Sequence, residues 1–160
     1  MKSAVNPYVA VGITIGALAG VWTWVSISLG MLTWVAFFTW ALFFAAGGKA
    51  AAIRAVLPPA LTGVFYATVL LLTADAVGGG VILPVGVAVI AFFMCAQANW
   101  KTLAFIPGAF AGCAAVFGAA GDWLPVAVAL VIGPLLGWAS EALAGLLTRP
   151  RAARVTAGAL

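Results

Sequence analysis

The chain has 160 residues, 66% of them hydrophobic and only 6% charged, with a mean hydropathy of +1.26. A soluble domain carries about a quarter charged residues, because its surface must be wetted. Seven basic and three acidic side chains cannot do that for a 16.2 kDa globule, so the composition excludes a soluble protein and identifies an integral membrane protein. The net charge of +4 comes from scattered Lys and Arg, whereas a nucleic-acid footprint needs them on one face, so no nucleic-acid partner is expected. There is no histidine, which removes the commonest metal ligand and the usual proton shuttle. Cys95 and Cys113 lie in apolar runs without C-x-x-C spacing and read as small buried hydrophobes. No metal and no cofactor are expected, and with no nucleophile–base pair in view the chain reads as a non-enzyme.

A helix needs about 20 apolar residues to cross the hydrocarbon core. Asn6-Pro7 reads as a helix cap followed by a first-turn proline, opening an apolar run over residues 8–29. A cleaved signal peptide would have a shorter apolar core, so this run is read as a retained helix. Gly30 ends it, and a shorter run over 31–46 stops at Gly47-Gly48-Lys49. A third run covers 53–74, with Pro58-Pro59 near its start, and ends at Asp75 and Gly78-Gly79-Gly80. A fourth covers 81–98, a fifth 102–120 and a sixth 123–147. The expected fold is an all-α membrane protein with six transmembrane helices, forming one domain over 1–147 with a basic cytoplasmic tail over 148–160. The second run is short for a crossing and reads as a tilted or re-entrant element.

The charges support that count. With both termini cytoplasmic, the inner segments hold Lys2, Lys49, Arg54, Lys101, Arg149, Arg151 and Arg154, all seven basic residues, while the outer turns hold Asp75 and Asp122. Basic residues are retained on the cytoplasmic side during insertion. A multi-pass protein of a bacterial inner membrane is therefore expected. Residues 43–49 also echo residues 116–122, and 59–63 echo 134–137, which suggests an inverted repeat of two three-helix units, a recurring transporter plan.

Glycines at four-residue spacing let helix backbones approach closely in lipid. Gly12, Gly16 and Gly20 form such a stripe on the first helix, Gly108 and Gly112 on the fifth, and Gly133, Gly137 and Gly145 on the sixth. Two readings stand: packing within the chain, or the seam of a homo-oligomer. Glu141 fills the gap in the last stripe and points with the glycines into protein. It is either half of an ion pair with Arg149, Lys49 or Arg54, or a group in a permeation path. Ser26 and Ser28 cluster with Trp22, Trp24 and Trp34 at the outer turn, where tryptophan anchors the interface. Gln97 offers amide donors and acceptors at the inner boundary. Pro107-Gly108 is expected to interrupt the fifth helix and free the carbonyl near Leu103, and Pro58-Pro59 and Gly133-Pro134 to make similar breaks.

Several strings resemble the small YcdZ-like bacterial inner-membrane family: Gly20-Val21-Trp22-Thr23-Trp24, Leu29-Gly30-Met31-Leu32-Thr33-Trp34, Phe93-Met94-Cys95-Ala96-Gln97-Ala98, residues 105–112 with Pro107-Gly108, and Gly121-Asp122-Trp123. The resemblance covers most of the chain up to the basic tail. It implies an inner-membrane location and no functional residues, since the family is a domain of unknown function. The Pro-Gly-small-Phe string beside Phe-rich spans is also similar to the half-repeat of urea channels, though their Asn-Pro-x-Ser-Gly signature is absent. The residues themselves suggest a passive channel or facilitator for a small neutral polar solute, urea-like. Gln97, Pro107, Gly108, Glu141, Ser26, Ser28 and Trp24 are its path candidates. The alternative is a membrane scaffold or accessory subunit that docks through the glycine stripes. Partners expected are the lipid bilayer, the solute and a second copy in a homo-oligomer.

Overall fold

The structure, a computed structural model, describes residues 5–148, and all regular structure among them is helical. Lys2 and the basic residues Arg149, Arg151 and Arg154 lie outside the described residues, and so does all but the first residue of the expected tail. Six α-helices follow one another: α1 (Pro7–Ser28), α2 (Thr33–Ala45), α3 (Lys49–Val77), α4 (Ile82–Ala96), α5 (Ile106–Gly118) and α6 (Trp123–Thr148). Two 3-10 turns, Gln97–Asn99 and Lys101–Leu103, join α4 to α5. Four segments are long and apolar enough to cross a membrane: α1, α3, α6, and α4 continued through Asn99. α2 and α5 have 13 residues each, about 20 Å of helix. The expected fifth run is thus as short as the second, because residues 97–105 are spent on 3-10 turns and extended backbone.

The prolines do not interrupt the helices. Pro107 stands in the first turn of α5, where the missing N–H would lack a helical partner anyway, so it opens the helix instead of kinking it. Pro58 and Pro59 lie inside an unbroken α3, and Pro134 inside an unbroken α6. Pro59 and Pro134 are buried against neighbouring helices, which hold each helix in place across the lost hydrogen bond. Cys95 is exposed and Cys113 buried. α4 packs mainly on α3, with a smaller contact to α5, and Cys95 lies on its uncovered side.

The main packings pair α3 with α5 and α2 with α6, while α1 rests on α6, α4 on α3, and α3 meets α6 in the middle. Glycine sets the first two. At Gly63 of α3 an added Cβ would run into the Ala109 carbonyl, and at Gly112 of α5 into the Ala60 carbonyl. At Gly133 of α6 it would strike the Ala36 carbonyl and the Thr39 hydroxyl of α2, and at Gly137 the Phe43 ring. Gly12, Gly16, Gly20 and Gly145 have open space where a side chain would stand. The first three sit on a face of α1 turned away from α6. Gly145 drifts off the packed face because each four-residue step turns a helix by about 40° beyond a full turn.

The buried positions recur along the chain. Those of α2 are Val35, Ala36, Thr39, Trp40 and Phe43. Gly108, Ala109, Gly112, Cys113 and Val116 of α5 are buried too, each at the spacing that separates Val35 from Gly108. Every buried residue of α6, from Val126 to Ala144, has a buried counterpart in α3, from Val56 to Ala74, at the spacing of Val56 to Val126. Gly63 matches Gly133 in that register, and the carbonyls they meet, Ala109 and Ala36, match in the other.

Replacing Gly63 or Gly112 by leucine forces a side chain into opposing backbone. We expect a loss of about 1–3 kcal/mol, typical of overpacking, read as lower thermal stability in detergent. Gly16→Leu should leave that stability unchanged. Equal losses at all three positions would contradict the assignment of faces.

Candidate functional site

The polar site candidates named from the sequence fall into three clusters. The first joins α1 to α2. The Ser26 and Thr33 hydroxyls are 2.6 Å apart, and the Trp22 indole donates to the Thr33 carbonyl at 3.1 Å. The Met31 amide donates to the Ser26 carbonyl at 2.8 Å. Ser26 is fully buried in this junction. Ser28 donates to the Trp24 carbonyl of its own helix at 2.8 Å, and Trp24 is 72% exposed. The outer-turn residues therefore divide, Ser26 clasping the α1–α2 corner while Ser28 and Trp24 face outward.

The second cluster closes the turn between α2 and α3. α2 ends with the Gly48 amide donating to the Phe43 carbonyl at 3.0 Å, as α5 ends with Gly121 donating to Val116 at 2.9 Å. Such 6→1 bonds need left-handed residues after the helix, supplied by Gly47 and Gly48 in one case and by Ala120 and Gly121 in the other. Glu141 of α6 then accepts the Lys49 amide through Oε2 at 2.6 Å. A Cβ on Gly48 would stand 3.0 Å from the same oxygen. Glu141 thus caps the N-terminus of α3, where a carboxylate satisfies an orphan donor and faces the positive end of the helix dipole. The partner is Lys49, one of the three residues offered by the sequence, met here through its backbone amide. In the α3–α6 register the counterpart of Glu141 is Leu71, which lies against Gly121, so the equivalent turn meets an apolar side chain where this one meets a carboxylate.

The third cluster lies where α4 gives way to the 3-10 turns. Gln97 is 2% exposed, and its Oε1 accepts from the Tyr66 hydroxyl of α3 at 3.4 Å. Its Nε2 is buried with no hydrogen-bond partner, as is the Trp40 indole nitrogen. A buried donor left unpaired costs about 1–3 kcal/mol. Gly108 is buried close to the Val56 carbonyl and Pro59 of α3, while Pro107 is exposed. Of the path candidates, Gln97 alone presents an unused buried hydrogen-bonding group. Tyr66 was one hydroxyl among many in the sequence, and its pairing with Gln97 across 31 positions leaves no local signal. A groove of about 520 Å3 between α3 and α4 beside Tyr66 is lined almost wholly by apolar side chains, among them Phe65, Val69, Val85 and Val89.

Removing the cap of α3 has a measurable cost. Glu141→Ala should lower stability by about 0.5–2 kcal/mol, the range for loss of an N-terminal cap. Glu141→Gln keeps an acceptor oxygen and should recover part of it, with thermal unfolding in detergent as the measurement. No loss in the alanine variant would show that the carboxylate does not hold this turn.

Comparison with known proteins agrees with the helical, apolar architecture. Residues 12–145 match the DUF1097 family of proteins of unknown function. The chain is 36% identical over 146 residues to the inner membrane protein YcdZ of Escherichia coli (strain K12), covering 85% of each. It is 35% identical over 146 residues to the inner membrane protein YcdZ of Salmonella typhimurium, covering 85% of this chain and 86% of that one. No solved structure matches. The match spans all six helices in whole or in large part, and the chain is a membrane protein belonging to the DUF1097 family.

Proposed function

We propose that the chain crosses the membrane six times as two inverted three-helix units, α1–α3 and α4–α6, and that it is a passive channel or facilitator for a small neutral polar solute such as urea. The constant spacings between buried residues support the inverted plan, with α2 answering to α5 and α3 to α6. So does the pairing of helices: α1 rests on α6 as α4 rests on α3, and α2 packs on α6 as α5 packs on α3. An odd number of helices per unit reverses the second unit relative to the first, which is the arrangement of many small transporters. The partition of basic and acidic residues supports a topology with both termini cytoplasmic.

The observation that carries the transport reading is Gln97. A buried amide donor without a partner, at the break between α4 and α5, is a group that a passing solute's oxygen would satisfy. The scarcity of ionisable groups within the helices favours a neutral solute over a proton-coupled one. The scaffold reading has its own support in the α1 stripe of Gly12, Gly16 and Gly20, which packs on nothing among the described residues and would fit closely against another membrane helix.

Purified protein in liposomes, followed by stopped-flow light scattering under urea and glycerol gradients, separates the two. Facilitation predicts solute entry faster than in empty vesicles and its loss in Gln97→Leu. Entry equal to that of empty vesicles, with the protein folded and inserted, overturns facilitation for these solutes and leaves the scaffold reading standing.

A further inference from the structure

A side-chain amide has two ends of nearly the same shape, a carbonyl that accepts and an NH2 that donates. Which of them the Gln97 site presents is decided by a neighbour. The main chain of Gln97 is committed: its amide donates to the Phe93 carbonyl, and its carbonyl accepts the Trp100 amide at 3.0 Å. That leaves the side chain, whose Oε1 accepts from the Tyr66 hydroxyl at 3.4 Å while Nε2 has no partner. Turning the amide over would set its NH2 against the hydroxyl and strand the phenolic proton, with no water inside the bilayer to take it. The carbonyl therefore stays toward Tyr66.

Packing holds Tyr66 to that task. Its ring centroid stands 5.8 Å from that of Phe65 and 6.5 Å from that of Phe93, so the hydroxyl of α3 is kept at the end of α4. The contact is not part of the repeated frame. At the spacing that relates α3 to α6, Tyr66 answers to Leu136, which has no hydroxyl. The glycine crossings occur twice and this polar pair once, as expected of a group that serves chemistry rather than packing.

We propose that Tyr66 is the positioning residue of the Gln97 site. By occupying the amide carbonyl it leaves a donor alone for the solute, and so selects neutral solutes that carry a strong acceptor oxygen, of the urea and carboxamide class. This rests on the transport reading above and narrows it. Gln97 is buried, so a solute that reaches its amide has shed water there, and a weak acceptor is not compensated by solvent.

Urea and thiourea test the assignment, since they share their N–H donors and differ in the acceptor, oxygen against the weaker sulfur. The purified full chain in liposomes is followed by stopped-flow light scattering under each gradient, with entry into empty vesicles subtracted. The unaltered chain should admit urea faster than thiourea, by about threefold or more. Tyr66→Phe keeps the ring, frees the Gln97 carbonyl and lets the amide turn to offer either end, so the urea-to-thiourea ratio should fall toward one. The difference in solute size acts equally on both proteins, and a merely structural loss would slow both solutes together, so the change in ratio decides. Thr73→Val removes a hydroxyl that bonds back to Val69 on the same helix and should leave the ratio unchanged. Facilitated urea entry with the same ratio in Tyr66→Phe as in the unaltered chain, or an equal fall in Thr73→Val, overturns the role of Tyr66 and leaves the transport reading intact. Absence of facilitated entry for both solutes overturns that reading, and this proposal with it.

Discussion

Helices in a bilayer gain little from burying one apolar surface against another, because lipid is as apolar as leucine, so they associate where their backbones can come close. Two crossings in this bundle have that property. α3 meets α5 through Gly63 and Gly112, each set against a carbonyl of the other helix, and α2 meets α6 through Gly133 and Gly137. The remaining architecture hangs from these contacts. α1 and α4 each rest on one member of the crossing pairs and leave most of their own surface outward. The short helices are the ones held most closely, which is how 13-residue segments keep their place among longer ones.

Close packing leaves polar groups little choice. Most hydroxyls bond back to their own helices, and Thr14 of α1 also reaches across to the Ser140 carbonyl of α6 at 2.8 Å. The departures from this thrift are few: Gln97 where α4 yields to 3-10 turns, Glu141 at the start of α3, and the unpartnered Thr68 hydroxyl and Trp40 indole within their helices. The two related turns differ in a telling way. One is capped by a carboxylate and the other lies against Leu71, so two turns closed by the same kind of bond carry different chemistry. A transporter needs that kind of asymmetry to treat its two faces differently, and a scaffold needs it to present one face to a partner.

Much of this frame was legible in the residues. Apolar run length located the helices, and Gly47-Gly48 and Gly121 marked the turns because only left-handed backbone closes them. The echo of residues 43–49 in 116–122 pointed to the register in which α2 and α5 share buried positions. What failed was directional. Spacing put Gly12, Gly16 and Gly20 on one face, but nothing local says whether that face packs within the chain, and among the described residues it meets no neighbour. Pro107 read as a break in a longer helix because the apolar run counts from Thr102, whereas Lys101–Leu103 is a 3-10 turn and α5 starts only at Ile106. Lys49 stood among the partners offered to Glu141, but the contact is made by its backbone amide, and a backbone donor leaves no mark in the pattern of charges.

The central claim is that two three-helix units lie in opposite orientation across the membrane. Single cysteines introduced into a chain with Cys95 and Cys113 replaced by alanine, and probed with a membrane-impermeant maleimide in intact spheroplasts, test it directly. The account predicts that Gly79→Cys, between α3 and α4, and Asp122→Cys, before α6, react from outside. Ala50→Cys, at the start of α3, and Asn99→Cys, after α4, should react only once the membrane is opened. Labelling of Asn99→Cys from outside together with Gly79→Cys would mean that α4 does not cross, and the inverted arrangement would be wrong.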